Sequence, residues 1–262
     1  MAGPIEQFEV KPLVEFGTVN VPVLGEQVIA ITNSHVAMTI AFVGVVGFLT
    51  LATSGAKVVP GRMQAAGESL FGMVDNLANS IIGHEGRKYF PFAFTMFLMV
   101  LSMNLLGMFL TFTATSQLAI TLTLGLITFL TVVVIGVVKN GFRFLGLFWP
   151  TSAPLALRPV VGAIELVSFL LRPFTLALRL FGNMLGGHVA LKIFAQFVVQ
   201  LGAFAIAAGG FAYALIGVAA LSLGMTVAMT ALEFLVAFLQ AFVFTVLTCI
   251  YLNDVVNLGE GH

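Results

Sequence analysis

The stretch LLRPFTLALRLFGNMLGGHVALKIF (residues 170–194) decides the fold, because it lies in an apolar run from about 160 to 200 with only a few charges. A run of that length and hydropathy predicts a membrane helix. Arg179 lies near its middle. A guanidinium at the centre of a bilayer costs about 2.5–3.5 kcal/mol on insertion scales, so a residue of this kind indicates a functional site. Because arginine keeps its proton at any accessible pH, Arg179 can hold or repel a charge but cannot relay a proton.

The composition of the chain predicts the same class of protein. Of its 262 residues, 60% are hydrophobic and 8% are charged, and the mean hydropathy is +1.10. Soluble domains carry about 25% charged residues, so we expect an all-α polytopic membrane protein. The 11 basic and 11 acidic residues cancel. No basic cluster with interleaved aromatic residues is present, so the sequence does not indicate nucleic acid as a partner.

The sequence also argues against several kinds of site. Cys249 is the only cysteine, which excludes disulfides within the chain and metal sites built from cysteines, and we expect it to be a small core residue. No GxxxxGK[S/T] loop for nucleotide phosphates is present, and no cofactor is expected. The N-terminus has acidic residues where a signal peptide has a basic region, so we expect no cleaved signal.

Five apolar segments are long enough to be embedded in a bilayer. Within a membrane domain at 34–252 they are predicted at 34–54, 91–112, 116–138, 160–200 and 208–252. The last two, at about 40 residues and roughly 60 Å, are twice as long as the ~30 Å hydrocarbon layer is thick. We therefore expect two long, tilted helices forming a hairpin that closes near 201–207.

A sixth segment, 64–83, has apolar residues at helical spacing and polar residues around the rest of the helical wheel. This pattern predicts an amphipathic helix that lies in the membrane interface rather than crossing it. An ordinary packing helix is the alternative.

Basic residues indicate the orientation in the membrane, because Lys and Arg concentrate in short cytoplasmic loops. They occur in the connections after the first and third spans, and are absent from the turns at 111–116 and 201–207. Those two basic connections are therefore predicted to be cytoplasmic. It follows that the acidic N-terminal segment, 1–33, lies outside and that the tail at 253–262 lies in the cytoplasm.

Four residues of the fourth span are spaced by seven and share one helical stripe, since seven residues drift by only about 20° around a helix. They are Glu165, Arg172, Arg179 and Gly186. Gly182 and Asn183, three and four residues beyond Arg179, border this stripe. Gly182 and Gly186 form a GxxxG pair, which lets another helix backbone approach closely. Beside a fixed cation, this surface suits a partner helix that carries an anion, with simple helix packing as the alternative.

The hairpin register predicts two polar pairs. In an antiparallel hairpin, two residues from opposite helices lie at the same height when their numbers add up to nearly the same value for every such pair. Arg179 with Gln240 and His188 with Glu233 give nearly the same sum, so both pairs are expected to lie side by side. A histidine and a glutamate buried together can take up and release protons near neutral pH, as a proton relay requires. A structural polar pair is the alternative. A zinc site is disfavoured because no third histidine, cysteine or carboxylate is nearby.

Three stretches resemble those of a known family, subunit a of the F-type ATP synthase, called subunit 6 in mitochondria. They are LALRLFGNMLGGH (176–188), LEFLVAFLQAFVFTVLTCIYL (232–252) and LSMNLLGMF (101–109). The resemblance covers almost the whole chain, and its RLFGN core within a helix is highly specific. It implies a non-catalytic stator subunit that provides two offset proton half-channels to a rotating ring of c subunits and couples proton flow to ATP synthesis. A bacterial inner membrane is the implied location, with the mitochondrial inner membrane as the alternative.

The resemblance also implies roles for individual residues. Arg179 matches the arginine that attracts each deprotonated carboxylate of the c ring and blocks a direct path between the half-channels. His188 and Glu233 match residues of the half-channel through which protons arrive. Some members of the family carry the acid on the fourth span and the histidine on the fifth, and this sequence has the reverse arrangement. Since one acid and one base remain, the function is not in question.

The remaining implied positions are polar residues around this path. Gln240 and Asn183 line the region around Arg179, and Glu165 matches an acidic position on the exit side. Asn104 either lines the arrival path or is a helix-packing amide. The implied partners are the c ring, the b subunits of the peripheral stalk, the rest of the F-type ATP synthase and the lipid bilayer. The histidine favours protons over sodium as the transported ion.

Two other classes of function compete with this interpretation. A free-standing secondary transporter or channel that binds its substrate at mid-membrane predicts broken helices paired in two repeats, and the sequence has no apparent internal repeat. A purely structural membrane subunit would leave Arg179, level with only a neutral amide, unexplained.

Overall fold

The computed structural model describes most of the chain. The described residues are 10–21, 25–109, 113–148, 157–208 and 214–258. Most of them belong to six α-helices. The helices are α1 (Asn33–Thr53), α2 (Arg62–Ile82), α3 (Gly86–Phe109), α4 (Leu118–Asn140), α5 (Arg158–Ala208) and α6 (Ala214–Val256).

The long helices confirm the predicted fold class. Within the described ranges, five helical stretches are long and apolar enough to cross a membrane. The last two contain most of α5 and α6, which are continuous over 51 and 43 residues. Pro173 lies inside α5 without ending it, as is tolerated in membrane helices where neighbouring groups satisfy the freed backbone. The chain is therefore an all-α polytopic membrane protein.

A two-stranded antiparallel sheet before α1 is an addition to this fold that the hydropathy pattern does not predict. β1 (Pro12–Val21) pairs with β2 (Gly25–Thr32). The register shifts twice along β1, and Gly17, at the second shift, has a φ of 149°. Glycine adopts such a positive φ without the steric penalty of a side chain. The outside position predicted for 1–33 stays a prediction.

The largest departure from the predicted helix bounds is at the hairpin of α5 and α6. The predicted turn at 201–207 is wrong, because α5 continues to Ala208 through alanine-rich sequence that favours helix. Residues 209–213, which follow, lie outside the described ranges. α6 continues to Val256, so the first residues of the predicted tail, 253–262, are helical. The other four helices start and end within five residues of their predicted bounds.

The chain divides into two compact units, and α5 and α6 each contribute to both. The first unit comprises Met1–Ile40, Met103–Gln117 and Phe181–Leu239. The second unit comprises Ala41–Ser102, Leu118–Leu180 and Gln240–His262.

In the second unit, α4 packs closely against α5 and α6. A Cβ on Gly125 would lie 2.6 Å from the carbonyl oxygen of Pro173, so the glycine allows α4 to approach α5. At the end of α4, the Asn140 side-chain amide donates to the Val255 carbonyl at 2.6 Å. The backbone of α6 is thereby tied to α4 as well.

The α2 helix has the amphipathic pattern predicted for 64–83. Its buried residues, Val74, Ala78 and Ile82, are spaced by four and therefore lie on one face. Glu68 and Asn76 are exposed. α2 packs within the second unit through its apolar face, and its location in the membrane interface stays a prediction.

Candidate functional site

The two long helices bring His188 and Glu233 together in the first unit. His188 Nδ1 on α5 lies 3.9 Å from Glu233 Oε2 on α6, and the two residues are only 8% and 7% exposed. This distance exceeds that of a hydrogen bond, which requires the atoms to approach by about 1 Å more. The pair predicted from the hairpin register is thus present, although the helices connect further along the chain than the predicted turn.

The Glu233 carboxyl group is buried without a hydrogen bond among the described residues. Both of its oxygens are buried, and neither makes a hydrogen bond to the part of the chain that the structure describes. A Cβ on Gly187 would lie 2.6 Å from Glu233 Oε1, so the glycine gives the carboxyl group its place against α5. A buried carboxyl group without protein donors is satisfied by water or by holding a proton. Its surroundings therefore suit a group that exchanges a proton.

Polar side chains from α3 and from the segment after it share the first unit with this pair. Asn104 is fully buried and donates from Nδ2 to the Ala237 carbonyl, one turn beyond Glu233, at 3.3 Å. Its Oδ1 and the Thr115 hydroxyl are buried without a hydrogen-bond partner among the described residues. Buried polar atoms of this kind are commonly satisfied by internal water.

Thr113 is a member of this group that the sequence reasoning missed. Its hydroxyl oxygen lies 3.1 Å from His188 Nε2. The usable signal is the polar sequence of residues 113–116, Thr-Ala-Thr-Ser, between two apolar spans. Hydropathy predicts that residues 111–116 form a turn, but it does not show which helix the side chain of Thr113 contacts.

The arginine predicted as the central charge is on the surface of α5. Arg179 is exposed, and no carboxylate of the described residues forms an ion pair with it. Gly182, Asn183 and Gly186 are also exposed. Apart from the adjacent part of α5 itself, no described atom lies within 4 Å of a Cβ built on Gly182 or Gly186. The GxxxG pair is therefore not used for packing among the described residues.

Two other predicted site residues have different surroundings. Gln240 is buried in α6, and Glu165 is half-buried in α5. The predicted level position of Gln240 beside Arg179 and the exit-side position of Glu165 stay predictions.

An ion pair joins α5 to α6 in the second unit. Arg172 Nη1 donates to Asp254 Oδ2 at 2.8 Å. The guanidinium carbon also lies 4.6 Å from the ring centroid of Tyr251 and 5.2 Å from that of Phe169. Asp254 was expected in the cytoplasmic tail. Because it lies only two residues beyond the predicted end of the fifth span, its position could have identified it as a partner for a basic residue on α5.

The described part of the chain offers no group of three or more His, Cys, Asp or Glu residues that could hold a metal ion.

Comparison with known proteins identifies close relatives over the whole chain. Residues 35–253 match the family described as ATP synthase A chain. The chain is 44% identical to ATP synthase subunit a of Rhodopseudomonas palustris over 260 residues, covering 99% of each chain. It is 46% identical to ATP synthase subunit a of Nitrobacter hamburgensis over 263 residues, covering 99% of this chain and 100% of the relative. The chain is 49% identical to ATP synthase subunit a of Rhizobium etli over 233 residues, covering 88% of this chain and 90% of the relative.

The Arg172–Asp254 contact predicts a measurable coupling between α5 and α6. Asp254→Leu leaves a half-buried guanidinium without its carboxylate, and we expect a loss of about 1–3 kcal/mol in the free energy of unfolding. Adding Arg172→Leu should recover part of that loss, which a double-mutant cycle on the full chain in detergent would measure.

The control for this cycle is the exposed Lys139–Glu85 ion pair. Its side chains are 32% and 41% exposed, against 21% and 30% for Arg172 and Asp254. Glu85→Leu should cost less than about 1 kcal/mol, because water screens an exposed pair. Equal losses for Asp254→Leu and Glu85→Leu would contradict a structural role for the Arg172–Asp254 contact.

Proposed function

The chain belongs to the ATP synthase A chain family, and on that premise we propose that it is a proton-translocating subunit in the membrane sector of an F-type ATP synthase. Its long apolar helices support a location in the membrane, and its bacterial relatives support the bacterial inner membrane. ATP synthesis itself takes place in other subunits, while this chain conducts protons. Each proton that crosses 100 mV releases roughly 2.3 kcal/mol, so several protons drive the synthesis of one ATP.

We propose further that the chain is the stator beside a ring of c subunits. The observation that carries this proposal is the exposed Arg179 on a long apolar helix, without an ion-pair partner among the described residues. A cation in hydrocarbon needs an anion nearby, and a deprotonated carboxylate on a neighbouring helix would supply it. At ~4 Å and an effective dielectric constant near 20 that attraction is about 4 kcal/mol.

The permanent charge of Arg179 also explains how a leak is prevented. Arginine holds its proton at all accessible pH values, so it can neither accept a proton from one half-channel nor release one to the other. Its field repels a free proton that approaches from either side. A ring carboxylate therefore has to pick up its proton on one side of Arg179 and release it on the other.

We assign the arrival half-channel to His188 and Glu233, with Asn104 beside them. The 3.9 Å contact of the two titratable groups and the buried polar atoms that have no hydrogen-bond partner among the described residues support a hydrated path. Gln240 and Asn183 belong to the region around Arg179. Glu165 belongs to the path by which protons leave.

A free-standing secondary transporter is the alternative, and the helices disfavour it. Such a protein binds its substrate at helices that are broken near mid-membrane. α5 and α6 are continuous over 51 and 43 residues. Unbroken helices support a stator that presents a continuous surface to a moving partner.

The role of Arg179 predicts a separation of pumping from leakage. In inside-out membrane vesicles that contain the assembled enzyme, Arg179→Ala should abolish ATP-driven proton pumping, because no fixed cation attracts the ring carboxylate. Passive proton flow after removal of the catalytic head should persist, since the half-channels remain. Arg143→Ala, at an exposed arginine after α4, is the control and should pump normally. Normal pumping by Arg179→Ala would contradict the stator assignment.

The glycine surface on α5 predicts a steric requirement for the partner. Gly186→Leu should lower ATP-driven pumping by about tenfold or more, because a branched side chain prevents close approach of another helix. Gly224→Leu on α6 is the matched control, since both glycines are exposed and, apart from their own helix, no described atom lies within 4 Å of a Cβ. Co-purification of c subunits should fall only for Gly186→Leu. Equal behaviour of the two variants would rule out a docking role for this glycine.

A further inference from the structure

The segment 113–116, between α3 and α4, is buried although three of its four residues are polar. A short 3-10 helix, Ala114–Ser116, fixes its backbone. The Thr113 carbonyl accepts hydrogen bonds from the Ser116 N–H at 3.2 Å and from the Ser116 hydroxyl at 2.6 Å. Thr113 is therefore held in place by its own segment, independently of the contact that its side chain makes with His188.

The single hydrogen of the Thr113 hydroxyl has a defined direction. The hydroxyl lies 3.1 Å from the Gly107 carbonyl oxygen, and a carbonyl can only accept a hydrogen bond. Gly107 lies in the last turn of α3, where carbonyl groups lack donors from their own helix. Thr113 therefore donates to Gly107. Towards His188 Nε2, at 3.1 Å, it has only a lone pair to offer.

A hydrogen bond between these two groups then requires a proton on His188 Nε2. A neutral imidazole carries one proton, so its Nδ1 is unprotonated. This Nδ1 is the atom that lies 3.9 Å from Glu233 Oε2. We propose that Thr113 is a positioning residue that fixes the tautomer of His188 and keeps the basic nitrogen facing Glu233.

This inference rests on the proposed function of the His188–Glu233 pair and adds the atoms between which the proton moves. When the carboxyl group of Glu233 holds a proton, the O–H bond breaks and an N–H bond forms at Nδ1. The products are an imidazolium and a carboxylate. Both nitrogens of the imidazolium then have an acceptor, since Nε2–H faces Thr113 and Nδ1–H faces Glu233. The return of the proton needs no rotation of the ring.

Gly107 supports the same arrangement by its lack of a side chain. A Cβ at this position would collide with the Thr113 side chain. Gly107→Ala should therefore displace the Thr113 hydroxyl without removing it. This gives a second way to disturb the tautomer of His188 that leaves Thr113, His188 and Glu233 chemically intact.

The direct test is nitrogen NMR of the assembled enzyme labelled with [15N]histidine, at an alkaline pH where imidazole is neutral. The signals of His188 are assigned by their loss in His188→Gln. We expect a protonated Nε2 and an unprotonated Nδ1 in the unsubstituted protein, and a mixture of both tautomers in Thr113→Val. Thr113→Ser should retain the original tautomer. A protonated Nδ1 in the unsubstituted protein, or an unchanged spectrum in Thr113→Val, would overturn the proposal.

Proton pumping provides the functional readout. Because Thr113→Val removes one hydrogen bond from the reactive tautomer, we expect its rate of proton pumping to fall by roughly three- to tenfold. Thr113→Ser should restore the rate. Gly107→Ala should lower the rate about as much as Thr113→Val. Thr128→Val is the control, because it removes a buried hydroxyl that donates to the Leu124 carbonyl within α4. Thr113→Val pumping at the rate of this control would contradict the positioning role.

A parallel Glu233→Gln variant separates the two proposals. If Glu233→Gln pumps normally, the proposed function of the pair fails. If Glu233→Gln loses pumping while Thr113→Val retains both the rate and the tautomer of the unsubstituted protein, only the role of Thr113 fails.

Discussion

A charge in the hydrocarbon of a membrane needs a partner, and this constraint determines how α5 and α6 are used. Each of two contacts between them joins an acid to a base within one unit. His188 lies 3.9 Å from Glu233 in the first unit, and Arg172 donates to Asp254 at 2.8 Å in the second. The two contacts differ in chemistry. The first joins two groups that can both titrate, whereas the second includes a guanidinium with a permanent charge.

We propose that the first contact handles protons and that the second stabilises the structure. A permanent ion pair with good hydrogen-bond geometry fixes two helices to each other, while a buried carboxylic acid facing an imidazole nitrogen can transfer a proton. Arg179 is the third case, an exposed cation on the same long helix, for which we propose that a mobile anion on a partner supplies the counter-charge. In the proposed function, the charges that are paired within the chain and the charge that is paired by a partner have different roles.

The sequence predicts the spans and the long hairpin, because apolar length and helical period are local properties that survive in the folded chain. It predicts the His188–Glu233 pair because an antiparallel hairpin places residues with nearly equal number sums beside each other. It does not predict the sheet before α1, because β2 contains a run of four apolar residues, VIAI at 28–31, instead of alternating polar and apolar residues. Nor does it predict the partners of Asn104 and Thr113, which are about 133 and 75 residues away along the chain. Contacts between segments so far apart in sequence depend on tertiary packing that no local pattern specifies.

The measurement that tests the central claim most directly is ATP-driven proton pumping after exchange of the acid and the base. His188→Glu and Glu233→His are made singly and together in the assembled enzyme. If the two residues act as one proton-transfer pair, each single variant loses pumping, and the double variant, which again has one acid facing one imidazole, recovers a substantial part of it. Normal pumping by both single variants would contradict the account.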